Sequence, residues 1–238
     1  MFEPSALVVI PTTGEATLGL AISSVISQSH KNLQCLVVVD GPEFLEKTLP
    51  ITNKFQTVKV MTLPFNTGGN QYYGHRIYAA SAFLTNSDYW LALDQDNFFK
   101  SDHVESQVYN CEINQLDWSY SLRSIFDKSG NYVLDDNCES LGKWPVHFSN
   151  ENFLVDTSCY CIKREVITKI GGVWHGRWGQ DRVFYSTISK YFPKYDTTGL
   201  HTLCYRLDGN PMSVNEEFFA SGNARMHTRY GEKFPWNR

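Results

Sequence analysis

Tyr89-Trp90-Leu91-Ala92-Leu93-Asp94-Gln95-Asp96-Asn97 joins an unbroken apolar run to two carboxylates one residue apart. A short apolar run of this kind, bounded by polar residues, has the length of a strand buried on both faces. Such strands belong to α/β proteins, which gather ligands at the carboxyl ends of a parallel sheet. In the turn after the strand, Asp94 and Asp96 can converge on one hard cation. Mg2+ or Mn2+ takes one or two carboxylates and completes its shell with substrate phosphates, so the pair points to a phosphorylated ligand. The plainer alternative is a helix N-cap and its neighbour, ahead of a helix over 101–114.

On the amino-terminal side the same pattern recurs. Residues 6–10 form a short apolar strand ended by Pro11, and 16–28 carries Leu18, Ala21, Ile22, Val25 and Ile26 at helical spacing. Leu33–Val39 reads as a second strand closing on Asp40-Gly41-Pro42, 57–63 as a third, and 74–83 as a helix before the fourth. The expected fold is α/β, a mixed, mostly parallel central sheet flanked by helices in a single domain. One sheet edge then carries Pro11-Thr12-Thr13-Gly14, Asp40-Gly41, Asn66-Thr67-Gly68-Gly69-Asn70 and Asp94-Gln95-Asp96-Asn97. Each alone is turn chemistry; together they offer hydroxyls, carboxylates and glycines to one ligand. Neither a P-loop nor G-x-G-x-x-G follows the first strand, so a nucleotide is not held as in an ATPase or a dehydrogenase.

Beyond residue 115 the pattern changes. Strands are expected at 118–123, 131–134 and 157–163, with a hairpin turn at 127–131 and a long polar loop at 135–152. Arg164–Ile170 reads as a short helix, and a further one begins near Asp181 after a loop rich in glycine and tryptophan. Trp174 and Trp178 there offer flat faces to a sugar, or else pin the loop to the core. The tail from residue 216 has helical character with Arg225, His227, Arg229 and Lys233 near its end, and a solvated amphipathic helix is expected.

A net charge of −4 with scattered basic residues argues against a nucleic-acid partner. No apolar stretch approaches the roughly 20 residues of a membrane span. Met1-Phe2-Glu3-Pro4 lacks the order of a secretion signal, so a cytoplasmic location is expected, with the basic tail as the only candidate for peripheral membrane contact. Six cysteines without C-x-x-C spacing read as reduced thiols.

Val8-Val9-Ile10-Pro11-Thr12, Val37-Val38-Val39-Asp40-Gly41, Asn66-Thr67-Gly68-Gly69-Asn70 with Gly74-His75-Arg76, and Leu93-Asp94-Gln95-Asp96-Asn97 resemble, in that order, the GT-A glycosyltransferases of family 2. Cys159-Tyr160-Cys161-Ile162-Lys163-Arg164-Glu165, Ile170-Gly171-Gly172 and Trp178-Gly179-Gln180-Asp181 extend the resemblance to about residues 6–210. It implies a GT-A, Rossmann-like fold over 1–238, with a nucleotide-sugar donor half (1–100), an acceptor half (101–210) and a helical tail (211–238). It further implies that Pro11, Thr12 and Thr13 border the base, that Asp40 contacts base or ribose, and that Arg76 sits near the diphosphate. Asp94 and Gln95 join the donor site, Asp96 is the principal ligand of Mn2+ or Mg2+ with Asp94 beside it, and Asp181 is the general base of an inverting transfer. Trp174, Trp178 and Gln180 fall on the acceptor side.

Two departures from the family pattern stand out. Gln180 occupies the place of a glutamate, and Asp208 that of a histidine that can serve the metal or diphosphate, a role that either Asp208 or the nearby His201 is expected to take over. The expected donor is a UDP-sugar, and the acceptor a glycan, a lipid-linked saccharide or a protein; nothing sets the oligomeric state. The competing functions are a nucleotidyltransferase, which would want a basic residue after the first strand where Thr13-Gly14-Glu15 stands, and a catalytically degenerate binding module.

Overall fold

The computed structural model describes residues 3–207 and 214–237. β1 (Ala6–Thr12) is buried along its whole length, because parallel strands flank it on both sides. β2 (Leu33–Val39) pairs with it from Ala6↔Leu33 to Thr12↔Val39, and β4 (Tyr89–Ala92) from Ala6↔Tyr89 to Val9↔Ala92. β3 (Lys59–Thr62) extends the sheet beyond β2. α1 (Leu18–Ile26) buries Leu18, Ala21, Ile22 and Val25 of the stripe its spacing announces, while Ile26, at the helix end, stays exposed. α2 (Leu45–Thr52) and α3 (His75–Ser81) complete the connections of this half.

The second half adds β5 (Phe98–Phe99), α4 (His103–Ile113), β6 (Trp118–Phe126), β7 (Tyr132–Asp135), β8 (Tyr160–Lys163), α5 (Arg164–Ile170), α6 (Gln180–Tyr191), β9 (Tyr195–Arg206) and α7 (Glu216–Tyr230). One nine-stranded sheet results, in the order β3-β2-β1-β4-β8-β6-β9-β5 with β7 beside β6. β5, β7 and β8 run against the other six strands, so the sheet is mixed but mostly parallel, as expected. A contiguous core joins Val8 and Trp90 to Trp118, Phe184, Phe219 and Trp236, which makes the chain a single domain. All six cysteines are buried and unbridged.

Several elements differ from the sequence expectation. β9 is hidden in the sequence by Asp196, Thr197, Thr198, His201 and Thr202, yet it is held between β6 and β5. α2 carries Pro50, which masks its helical pattern. The tail is not merely solvated: Phe219, Met226, Phe234 and Trp236 enter the core, and Trp236 Nε1 donates to Asn137 Oδ1 at 2.8 Å. Gly222 lets α7 approach so closely that a Cβ there would lie 2.5 Å from Cys138 Sγ. The polar stretch after β7 is likewise folded in: Asp136 accepts the backbone N–H groups of Cys138, Glu139 and Ser140, and Leu141 and Val146 are buried.

Candidate active site

The carboxyl ends of β1, β2 and β4 surround a cavity of about 580 Å³. Pro11, Thr12, Thr13, Asp40, Asp94, Gln95 and Asp96 all line it, so three segments widely separated in sequence meet at one place. Thr157 and Tyr205 from the second half, and Tyr73 and His75 from the segment leading into α3, complete the wall. His75 belongs to the Gly74-His75-Arg76 stretch noted in the sequence, whereas Tyr73 does not stand out there, and Thr157 and Tyr205 arrive only because β8 and β9 join the same sheet.

Asp94 is half-buried, and the Tyr78 hydroxyl donates to its Oδ1 at 2.7 Å. Its backbone N–H donates to Ser158 Oγ at 3.0 Å, and that hydroxyl reaches Oδ2 at 3.4 Å. Burial, then the neighbouring Asp96 and Asp156 carboxylates, push its pKa up to about 7. Asp96 is exposed on the cavity wall. A like-charged pair of this kind is what a hard divalent cation relieves, so the donor set fits Mg2+ or Mn2+. Among the described residues no three His, Cys, Asp or Glu side chains group as metal ligands. A cation of this kind would be held by Asp94 and Asp96, with phosphate and water supplying the rest of its shell.

His201 needs correction. It does not line the cavity, and the charges around it are Asp135, Asp136 and Lys100 rather than Asp94 or Asp96. Burial holds its pKa below the usual histidine value. Tyr205, on the same strand, does reach the cavity, and four residues of strand separate the two by about 13 Å. Asp208 lies outside the described residues.

Two of the expected donor contacts are already committed within the protein. Asp40 Oδ1 accepts from Thr67 N at 2.8 Å and Thr67 Oγ1 at 2.7 Å, and Oδ2 from Gly68 N at 2.8 Å and Asn66 Nδ2 at 3.2 Å. Four donors fill a carboxylate's acceptor positions. Asp40 thus holds the 66–68 turn against the cavity rather than presenting free oxygens to a base or ribose. Gly68 is required there, since a Cβ would lie 2.5 Å from the Tyr73 carbonyl oxygen. Gln95 behaves similarly: its Oε1 accepts from Thr12 Oγ1 at 2.6 Å and Thr13 N at 3.1 Å, and its Nε2 donates to Thr13 Oγ1 at 3.2 Å. Its amide shapes the Thr12-Thr13 ledge.

Arg76 does not reach the cavity wall either. Its Nη1 donates to the Thr67 carbonyl at 3.2 Å, and its guanidinium lies 3.6 Å from the centre of the Tyr72 ring.

Asp181 stands in the first turn of α6, where its Oδ1 accepts from Arg182 N at 2.8 Å. It is half-buried, and burial foremost raises its pKa. It does not line the cavity itself but lies close enough to His75, which does, to act on that ring's charge. His75 is fixed by a 2.8 Å hydrogen bond from Nδ1 to the Gly176 carbonyl. Trp174 is a correction: it is fully buried, stacked on Phe184 at 4.2 Å and packed against Tyr78 and Tyr160, so its faces are spent on the core. Trp178 is 78% exposed. Gln180 turns its amide inward to the Val173 carbonyl.

A buried ion cluster behind the cavity was not anticipated. Arg123 in β6 donates from Nε to Asp136 at 2.8 Å, from Nη2 to Glu139 at 2.6 Å and from Nη1 to Asp156 at 2.7 Å. Arg182, next to Asp181, also reaches Glu139 at 3.3 Å. Asp156 in turn accepts from Ser158 N at 3.0 Å, and Ser158 supports Asp94. The available signal was an arginine in the middle of the strand Trp-Ser-Tyr-Ser-Leu-Arg-Ser-Ile-Phe, since a charge enters a core only with partners.

A family model described as Glycosyl transferase family 2 matches residues 7–171. Among solved structures, Staphylococcus aureus TarS 1-349 aligns with a TM-score of 0.65 at 13% identity, covering 85% of this chain and 60% of that one. The same protein in complex with UDP-GlcNAc gives 0.66 at 13%, covering 94% and 66%. The TarS structure described without residue limits gives 0.63 at 10%, covering 96% and 44%. These likenesses show a shared fold, and this chain spans less than two thirds of those structures' length. No curated protein matches the sequence.

Proposed function

Because the chain belongs to glycosyl transferase family 2, we propose that it moves a sugar from a nucleoside-diphosphate sugar to an acceptor hydroxyl, with inversion at the anomeric carbon. The observation that carries this reading is the cavity itself, with Thr12, Thr13, Asp94 and Asp96 on its wall and Asp181 behind His75. UDP-GlcNAc bound to the TarS structure of the same fold supports a UDP-sugar as donor.

Each group has a defined task in this proposal. The 66–69 turn, held by Asp40, and the Thr12-Thr13 ledge, held by Gln95, shape the nucleoside end of the cavity. Asp96 and Asp94 would hold Mg2+ or Mn2+, which when bound stabilises the negative charge growing on the departing diphosphate. The bond from the anomeric carbon to the diphosphate oxygen breaks with its electron pair leaving on the diphosphate. The acceptor oxygen forms its bond on the opposite face, and the Asp181 carboxylate takes the acceptor's proton. Burial raises the proton affinity of Asp181, which suits a base.

The test is thermal stability with UDP, GDP, dTDP and CMP, each with manganese and with a chelator, since a ligand that binds only the native state raises the melting temperature. The expected result is stabilisation by UDP that the chelator removes. Stabilisation by none of the four would overturn the proposal.

A further inference from the structure

Arg76 and Arg177 enter no ion pair among the described residues, although the carboxylates Asp94 and Asp96 line the cavity and Asp156 and Asp181 lie close behind it. They converge instead on one tyrosine. Arg76 Cζ lies 3.6 Å from the centre of the Tyr72 ring, Arg177 Cζ 5.6 Å, and the His175 ring 5.6 Å. Arg76 keeps an enclosed Nε with no hydrogen-bond partner. The Tyr72 hydroxyl is held below its ordinary pKa, by Arg177 first and then Arg76.

The backbone that presents Tyr72 is strained. Asn70, Gln71 and Tyr73 have φ of 57°, 69° and 49°, left-handed values that side chains other than glycine rarely adopt. Strain of this kind collects where a loop is shaped for a ligand. The loop's position names which ligand. Tyr73 and His75 line the cavity, His75 is bonded to Gly176, Arg177 follows directly, and Asp181 stands four residues further along the chain in the first turn of α6. Neither arginine lines the donor cavity, but Arg76 follows the lining residue His75 and Arg177 follows Gly176, to which His75 is bonded, so the pair lies beside that part of the wall.

We propose that Arg76 and Arg177, gathered around Tyr72, form an anion subsite on the acceptor side, and that the acceptor carries a phosphate or carboxylate near the hydroxyl that receives the sugar; this rests on the transferase function proposed above. Guanidinium forks bind both groups through paired hydrogen bonds. A cation there also resolves a problem of charge, because an anionic acceptor would otherwise approach a site dominated by carboxylates. Trp178, exposed one residue further on, offers a flat face for a sugar ring of the same acceptor.

The test uses the full chain with UDP and manganese present, and titrates a glycerol phosphate tetramer, tetragalacturonate and neutral maltotetraose. Wild type should bind one of the anionic probes, the better one identifying phosphate or carboxylate, and bind maltotetraose at least tenfold more weakly. Arg177→Met should weaken the anionic probe about tenfold or more, with Arg177→Lys intermediate, while the manganese-dependent UDP shift persists. Equal binding of neutral and anionic probes, no binding of either anionic probe, or an Arg177→Met variant that binds the anionic probe as wild type does would overturn the subsite. So would loss of the UDP shift in that variant, which would assign Arg177 to the donor diphosphate. A wild type that shows no UDP shift overturns the donor site separately.

Discussion

One side of the cavity is made by the ends of three parallel strands, β1, β2 and β4, whose preceding residues are buried without exception in β1 and β4. The facing side is made by Tyr73, His75, Thr157 and Tyr205, and behind it lie Asp181 at the start of α6 and Arg123 with its three carboxylates. On the strand side, apolar burial sets the positions, and the ligand-facing groups follow automatically from where each strand stops. On the facing side, positions depend on hydrogen bonds and ion pairs that must all be satisfied together. The first arrangement should keep its stability when a single polar residue in its loops is replaced; the second should not, because removing one partner leaves charge stranded in the core.

The largest effect expected from a test of this contrast is on turnover. Asp181→Asn should lower kcat by about 10²–10⁴-fold while the UDP-dependent thermal shift persists; a near-normal rate would place the base elsewhere. In the wild type, burial raises the Asp181 pKa, so the acid limb of the rate profile should lie above the ordinary carboxylate value of 3.8, with activity falling as the pH drops through it.

Arg123→Met should come next. It leaves Asp136, Glu139 and Asp156 without their shared cation and should destabilise the fold by about 3–5 kcal/mol, read by urea or thermal denaturation. The same cluster has a pH signature. Although burial opposes it, Arg123 and the backbone N–H donors hold Asp136 below 3.8. Its contribution to stability is therefore present above pH 3.8 and lost as the pH falls through that lowered value. A variant as stable as wild type would erase the distinction between the two sides.

Asp40→Asn should have a smaller effect, since it swaps one acceptor oxygen for a donor facing the 66–68 turn. UDP affinity should fall about tenfold, the equivalent of one charge-assisted hydrogen bond, with kcat at saturating donor largely kept. If donor affinity does not change, the turn does not shape the nucleoside end. The smallest stability change belongs to Trp178→Ala, within about 0.5 kcal/mol for an exposed residue, whereas Trp174→Ala should cost about 3–5 kcal/mol. Equal losses for the two tryptophans would contradict the burial that separates them.

Legibility in the sequence follows the same division. The strands that end at Thr12, Val39 and Ala92 each contain a contiguous apolar run, over residues 6–10, 35–39 and 89–92, so the edge that carries Thr12, Thr13, Asp40, Asp94 and Asp96 can be read from local pattern. β9 cannot, because its polar residues are covered by β5 and β6 rather than by its own apolar neighbours. Trp174 and Trp178 look alike in sequence, four residues apart in one loop, and differ entirely in burial. The tail's basic residues drew attention to its surface, while Phe219, Met226, Phe234 and Trp236 place its other face in the core.

By itself the sequence determined the α/β class, the ligand edge and the Asp94–Asp96 pair, because strand length, apolar periodicity and turn composition act between near neighbours. Only the tertiary structure decided that Asp40 and Gln95 are occupied by their own loops, that His201 stands away from the carboxylate pair, and that Asp181 comes up behind His75. Those outcomes depend on which donors, acceptors and charges meet across 26 to 106 positions of chain. Local preferences do not encode such meetings; the pairing of most buried polar groups across the fold does.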